Sequence, residues 1–95
     1  MKVIKSDGRY NYHKDGFTTI LQFNMKVRPQ RDEFFRLQTA VKELYGDPRF
    51  IVGEGTTTRW KSNENYRIQM MSDRKNRRIY LRSEQEVTLL MLRAA

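Results

Sequence analysis

The sequence of 95 residues has no cysteine. Disulfide staples, thiolate zinc sites and cysteine nucleophiles are therefore excluded. Histidine occurs once, proline twice and glycine five times. A lone imidazole among scattered carboxylates has no metal-ligand spacing, and no Gly-, Ser- or Pro-rich linker, repeat or low-complexity tract divides the chain. One domain spanning residues 1–95 is the expectation, with a modest core, because so short a chain buries only about 60–65% of its unfolded surface. Long apolar runs are also missing. The longest, Leu89 to Leu92, is far below the roughly 20 residues that span a bilayer. The opening Met1-Lys2-Val3-Ile4-Lys5-Ser6-Asp7-Gly8 has no signal-peptide apolar segment. A cytoplasmic protein without integral membrane association is expected. Acidic residues are scarce, 11 against 19 Lys and Arg, leaving a net charge of +8; anionic lipid is compatible only as an electrostatic contact.

What is present reads as α+β. Asp7-Gly8 and Asp15-Gly16 suit two-residue hairpin turns that need positive φ. With the second as such a turn, Lys14 faces Phe17, Tyr12 faces Thr19 and Tyr10 faces Leu21, and Phe23, Met25 and Val27 continue that side. Arg9, Asn11, His13, Thr18, Ile20, Gln22, Asn24 and Lys26 take the other. A slip of one residue scrambles this sorting. Pro29 then suits a first helical turn, Asp32 and Glu33 favour its positive end, and Phe34, Leu37, Val41 and Leu44 form one helical stripe. Gly46 is the expected C-cap and Asp47-Pro48 blocks continuation.

A short apolar piece, Phe50-Ile51-Val52, and a flexible Gly53-Glu54-Gly55 lead into strands expected at Thr57–Ser62, Asn65–Ser72 and Arg77–Arg82, forming a three-stranded antiparallel segment. Ser83-Glu84-Gln85-Glu86 reads as a capping box opening a short C-terminal helix with Val87, Leu90 and Met91 inward. Leu89 and Leu92 keep a final strand over 84–94 open as the alternative. The expected architecture is an N-terminal hairpin or meander, a long amphipathic helix, the three strands and a short helix, with both helices on one face of the sheet.

In the three late strands Thr58, Trp60, Tyr66, Ile68, Met70, Ile79 and Leu81 share one side. Arg59, Lys61, Arg67, Gln69, Met71, Arg78, Tyr80 and Arg82 share the other. Two single-striped helices cover one face, so the second is expected to be wet. Exposed strand faces are often basic merely for solubility. Here like charges gather across three strands with no acid between them, a repulsion that a polyanion or acidic partner relieves. The expected binding residues are Arg59, Lys61, Arg67, Arg78, Tyr80 and Arg82, extended by Arg74, Lys75 and Arg77 of the turn and by Arg9 and Lys26 elsewhere. Tyr80 would supply a stacking surface. Nucleic acid, DNA or RNA, is the leading partner and an acidic protein surface the competitor.

From Pro29 onward the order helix, three strands, helix resembles the double-stranded RNA-binding domain over about two thirds of the chain. That family places a lysine cluster at the start of its last helix. Ser83-Glu84-Gln85-Glu86 occupies that place here, so the family's binding residues do not carry over. The two aromatic signatures of the RNA-recognition motif are missing. Small, basic, cysteine-free and without a catalytic signature, the chain looks like the accessory proteins of phages or mobile elements that bind host proteins or nucleic acid.

Catalysis is not expected. His13 beside a turn reads as a solvated residue without a positioned partner. Gly53-Glu54-Gly55 lacks the Gly-Lys-Ser/Thr ending of a phosphate loop, and the capping role explains Glu84 and Glu86. A metal-dependent nuclease ranks third, behind the two binding readings, and no cofactor or metal is implied. Met25, Met70, Met71, Met91, Trp60 and Tyr66 read as core filling. If Asp7-Gly8 also closes a two-residue hairpin, Ile4 and Ile20 both flank Asn11 on the outer side, a small apolar spot suited to protein contact or to nothing beyond scattered exposure.

Overall fold

In the computed structural model, which describes residues 1–95 apart from the side chain of Glu54, six strands and two helices form in chain order. They are β1 (Lys2–Lys5), β2 (Thr19–Asn24), α1 (Arg28–Tyr45), β3 (Arg49–Glu54), β4 (Thr57–Ser62), β5 (Tyr66–Met70), β6 (Asn76–Leu81) and α2 (Glu84–Ala94). The main sheet is antiparallel, in the order β1-β2-β6-β5, and β3 and β4 make a separate two-stranded ribbon.

The α+β class and the placing of both helices on one sheet face are as the sequence predicts. Leu21 and Phe23 of β2, Ile79 and Leu81 of β6 and Tyr66 of β5 meet Phe34, Leu37, Ala40 and Val41 of α1 and Leu90 of α2 in one buried cluster. The alternation along β2 and β6 puts these side chains on one side because strand side chains repeat every second residue. Phe34, Leu37 and Val41 of the expected helical stripe are buried, whereas Leu44 in the last turn is exposed. Gly46 ends α1 at φ 87° with its N–H donating to the Lys42 carbonyl at 2.8 Å, a positive φ that favours glycine at a helix end. The buried Tyr66 hydroxyl donates to the Gly46 carbonyl at 2.7 Å and so ties the end of α1 to β5.

Residues 84–94 are a helix, which resolves the alternative of a final strand. The expected capping box is not made. Ser83 is extended and its hydroxyl caps nothing, while Glu86 Oε2 accepts from the Arg82 N–H at 3.2 Å, one residue earlier than a capping box requires. Leu90 is buried and Val87 packs beside it; Met91, expected inward, is exposed.

The N-terminal hairpin departs from expectation. β1 pairs directly with β2, Val3 opposite Leu21 and Ile4 opposite Ile20. The strand expected ahead of the Asp15-Gly16 turn, with Tyr12 facing Thr19 and Tyr10 facing Leu21, does not form. Instead residues 6–18 make an excursion with a 3₁₀ turn at His13–Asp15 closed by Gly16. The excursion folds back onto the sheet, where Tyr10 and Tyr12 pack against the fully buried Phe17, Ile20 and Tyr80. Three aromatic rings bury far more apolar area there than they would along an edge strand. Tyr12 accepts a positive φ of 65° in the process, and its ring meets Tyr80 edge-on at 5.0 Å between centroids.

The strand pairing of the second half also differs. β4 pairs with β3 rather than β5, with Glu54 opposite Thr57, so that Gly55-Thr56 is a two-residue turn. Gly53 permits it: at φ 153° a Cβ would lie 2.1 Å from the Thr57 carbonyl oxygen. The buried Asn63 then redirects the chain. Its amide Nδ2 donates to the Tyr45 and Asp47 carbonyls at 2.8 and 3.0 Å, anchoring the base of the ribbon to the end of α1. With its three expected strands divided between two sheets, the chain does not keep the sheet of the double-stranded RNA-binding topology.

Candidate functional site

The expected basic face separates into three places. On the sheet face opposite the helices, the register aligns Lys2, Gln22, Arg78 and Gln69 in one row and Ile4, Ile20, Tyr80 and Arg67 in the next. This face is not wholly wet, because the 6–18 excursion covers its second row. Tyr80 is fully buried and cannot stack on a base; its hydroxyl donates to Gln69 Oε1 and accepts from Arg78 Nη1 at 3.4 Å. Ile4 and Ile20 do share a side, but Ile20 is fully buried and Ile4 packs against it, so the outer apolar spot is the floor of the second core.

The arginines of this face clamp the excursion. The Arg67 guanidinium lies 4.7 Å from the Phe17 ring centroid and 5.8 Å from that of Tyr12. Arg82 lies 4.4 Å from Phe17 and donates to the Glu64 and Asp15 carbonyls at 2.6 and 3.0 Å. Arg78 sits 5.4 Å from the Tyr10 ring and donates from Nε to Gln22 Oε1 at 2.8 Å. Guanidinium groups over aromatic rings gain cation–π attraction while keeping N–H donors at their rims. His13 belongs to the same excursion, its Nδ1 3.1 Å from the Ser6 hydroxyl.

The second place is the end of the sheet where β1 begins, β2 finishes and β5 turns into β6. Arg74 and Lys75 are exposed in that turn, and Arg74 holds a positive φ of 57°. The Met25 N–H donates to the Lys75 carbonyl at 2.7 Å, which brings Lys26 beside the turn. Lys2 and Arg78 complete the group through their shared row. Among the described residues none of these five cations makes an ion pair. Asp73, the carboxylate of the turn, accepts the N–H groups of Lys75 and Asn76 at 2.8 and 3.1 Å, and these bonds lower its pKa. Arg77 is not part of the group. It points to the helix side, over Phe34 and Phe35 at 5.4 and 5.8 Å, because β6 alternates and Arg77 shares the side of Ile79. Lys2 escapes sequence reading altogether; only the β1–β2 register brings it here.

The third place is the β3–β4 ribbon, which carries Arg59 and Lys61; Lys61 lies 3.5 Å from Glu64. Trp60 and Met70, expected in the core, are 61% and 57% exposed. Among the described residues no side chain of the ribbon belongs to either buried cluster, so alternation there does not separate an inside from an outside. A cleft of about 400 Å³ runs between the ribbon base and β5, lined among others by Arg49, Ser62, Arg67 and Gln38. Among the described residues no helix is long and apolar enough to cross a membrane.

Fold and surface together define a small basic α+β module with an arginine-clamped excursion and a projecting ribbon. No known protein family matches this chain, and no match is found among curated proteins or solved structures.

Proposed function

We propose that the chain is a non-enzymatic binding module for a nucleic-acid backbone, held at the cationic end of the sheet by Lys2, Lys26, Arg74, Lys75 and Arg78. The observation that carries the reading is the gathering of these five cations without an ion pair among the described residues, around a carboxylate already engaged by its own turn. Unneutralised cations on one surface repel one another until a polyanion replaces their counterions. Arg82 serves this binding only indirectly, since its guanidinium holds the excursion through Phe17, Asp15 and Glu64.

The test is a salt titration of binding to labelled single- and double-stranded DNA and RNA, with Lys26→Glu/Lys75→Glu alongside. Both side chains are exposed and unpartnered among the described residues, so the variant keeps the fold. Expected is salt-sensitive binding with a log–log slope of about −0.7 per phosphate on single strands and about −0.9 on duplex, weakened and flattened in the variant. Absence of binding at low salt overturns the reading. The exposed Phe50, Ile51 and Trp60 beside Arg59 and Lys61 favour a second reading, an accessory module docking on an acidic protein surface. Its mark is a stoichiometric complex that survives moderate salt through apolar anchors.

A further inference from the structure

The ribbon has no structural task in the core, yet it carries the chain's one tryptophan on its surface. Each strand has six residues, so the ribbon extends roughly 20 Å. An isolated hairpin of this kind is marginally stable in water, and exposed aromatic area on it is ordinarily avoided. The register puts Ile51 opposite Trp60 and Arg49 opposite Ser62, so Arg49, Ile51 and Trp60 share one face. On that face the Arg49 guanidinium lies 5.3 Å from the Trp60 ring centroid. The ring is thereby oriented by a cation while 61% of the residue stays open. Arg49 and Ser62 also line the cleft of about 400 Å³ whose far wall holds Arg67 and Gln38.

We propose that Trp60, held by Arg49, is a stacking platform for an unpaired nucleobase, with the adjoining phosphate directed to the cleft between Arg49 and Arg67. This deepens the proposed function and rests on it. Charge complementarity selects the occupant. Arg49 borders the ring, Arg67 lines the adjoining cleft, and Arg59 and Lys61 project from the opposite face of the same ribbon; a second copy of the chain would bring these cations against their like, whereas a nucleotide supplies both a π-face and a neutralising phosphate. A duplex offers its π-faces only at its ends, so single strands are preferred.

Because Trp60 is the only tryptophan, its fluorescence reports this contact alone. Titration at low salt with a single-stranded oligonucleotide is expected to quench the emission. Inorganic polyphosphate and blunt duplex of equal charge leave it nearly unchanged. Trp60→Ala is expected to weaken single-strand binding about tenfold, and Trp60→Phe to restore most of it; neither change touches the core. Oligonucleotide binding by anisotropy with unaltered Trp60 emission and an unaffected Trp60→Ala overturns the platform and leaves the nucleic-acid reading standing. No binding by either signal overturns both. Emission that changes with protein concentration in the absence of oligonucleotide assigns the ring to a second copy, and emission that responds only to an acidic protein assigns it to that partner; each outcome overturns the proposal.

Discussion

Arg82 joins four segments at once. Its guanidinium covers Phe17 and bonds the Asp15 and Glu64 carbonyls, its own carbonyl accepts from the Thr18 hydroxyl at 2.6 Å, and its N–H reaches Glu86. The side chain therefore links the excursion to the turn before β5. Replacing it with alanine should cost about 2 kcal/mol, from two charge-assisted bonds at a partly open site and one cation–π contact. Arg82→Lys should recover little, because one ammonium cannot reproduce the planar fork. Urea unfolding of the three proteins checks this; equal midpoints for wild type and Arg82→Ala would show that the clamp is ornamental.

Tyr66 makes a second prediction at the same scale. Burial, assisted by the charge of Asp47, pushes its hydroxyl from the ordinary 10.0 up to about 12. The folded protein thus keeps this proton longer than the unfolded chain. The hydroxyl's contribution is complete below about pH 10 and is lost as pH rises through about 12. Tyr66→Phe should cost about 1 kcal/mol near neutral pH, the worth of its bond to Gly46. The gap between the two proteins should close across the same alkaline window. Paired denaturation curves at several pH values measure it, and a gap constant through that window contradicts the assignment.

At the level of elements, what was legible in the sequence follows from how local its signal is. α1 was readable because Pro29, the Phe34–Leu37–Val41 spacing and Gly46 all act within a few residues of one another. The extents of β4, β5 and β6 were close to expectation for the same reason. Partners were not readable. Arg9–His13 alternates as a strand does, but its aromatics gain more by folding over Ile20 and Tyr80, which only the completed sheet provides. The split of β4 from β5 hangs on Asn63 bonding the end of α1, a contact between residues 18 and 16 apart. The same limit dissolved the expected basic face: its arginines were correctly placed on β5 and β6, yet their aromatic neighbours come from the excursion. Gly53 tests the ribbon as an element. Gly53→Ala forces its Cβ into the Thr57 carbonyl, and no side-chain rearrangement relieves a clash with backbone. The ribbon should open while the four-stranded sheet survives, seen as faster amide exchange confined to residues 49–62. Global unfolding would mean that the ribbon supports the core after all.

For the whole molecule the deciding quantity is where the net charge of +8 sits. An even spread of such charge would make stability nearly indifferent to moderate salt, because exposed charges further apart than the Debye length of about 10 Å at 0.1 M are already screened. A cluster at one end of the sheet behaves differently: its members lie on neighbouring strands and a shared turn, close enough to repel at low salt, where the Debye length is about 30 Å at 0.01 M, and that repulsion opposes folding. Raising salt from about 10 to 150 mM should therefore stabilise the free protein while weakening its hold on nucleic acid, two opposite responses from one set of side chains. Lys26→Glu/Lys75→Glu, which relieves the repulsion covalently, should melt higher than wild type at low salt, by about 4–8 °C if the relief is near 1 kcal/mol. That advantage should vanish at high salt. Saturating oligonucleotide supplies the same relief from outside, raising the wild-type melting temperature and moving the variant's far less. Thermal melts across salt, with and without a single-stranded oligonucleotide, examine all of these together. If the variant melts lower than wild type at low salt, the cations stabilise the end of the sheet rather than strain it, and their gathering calls for no anionic partner.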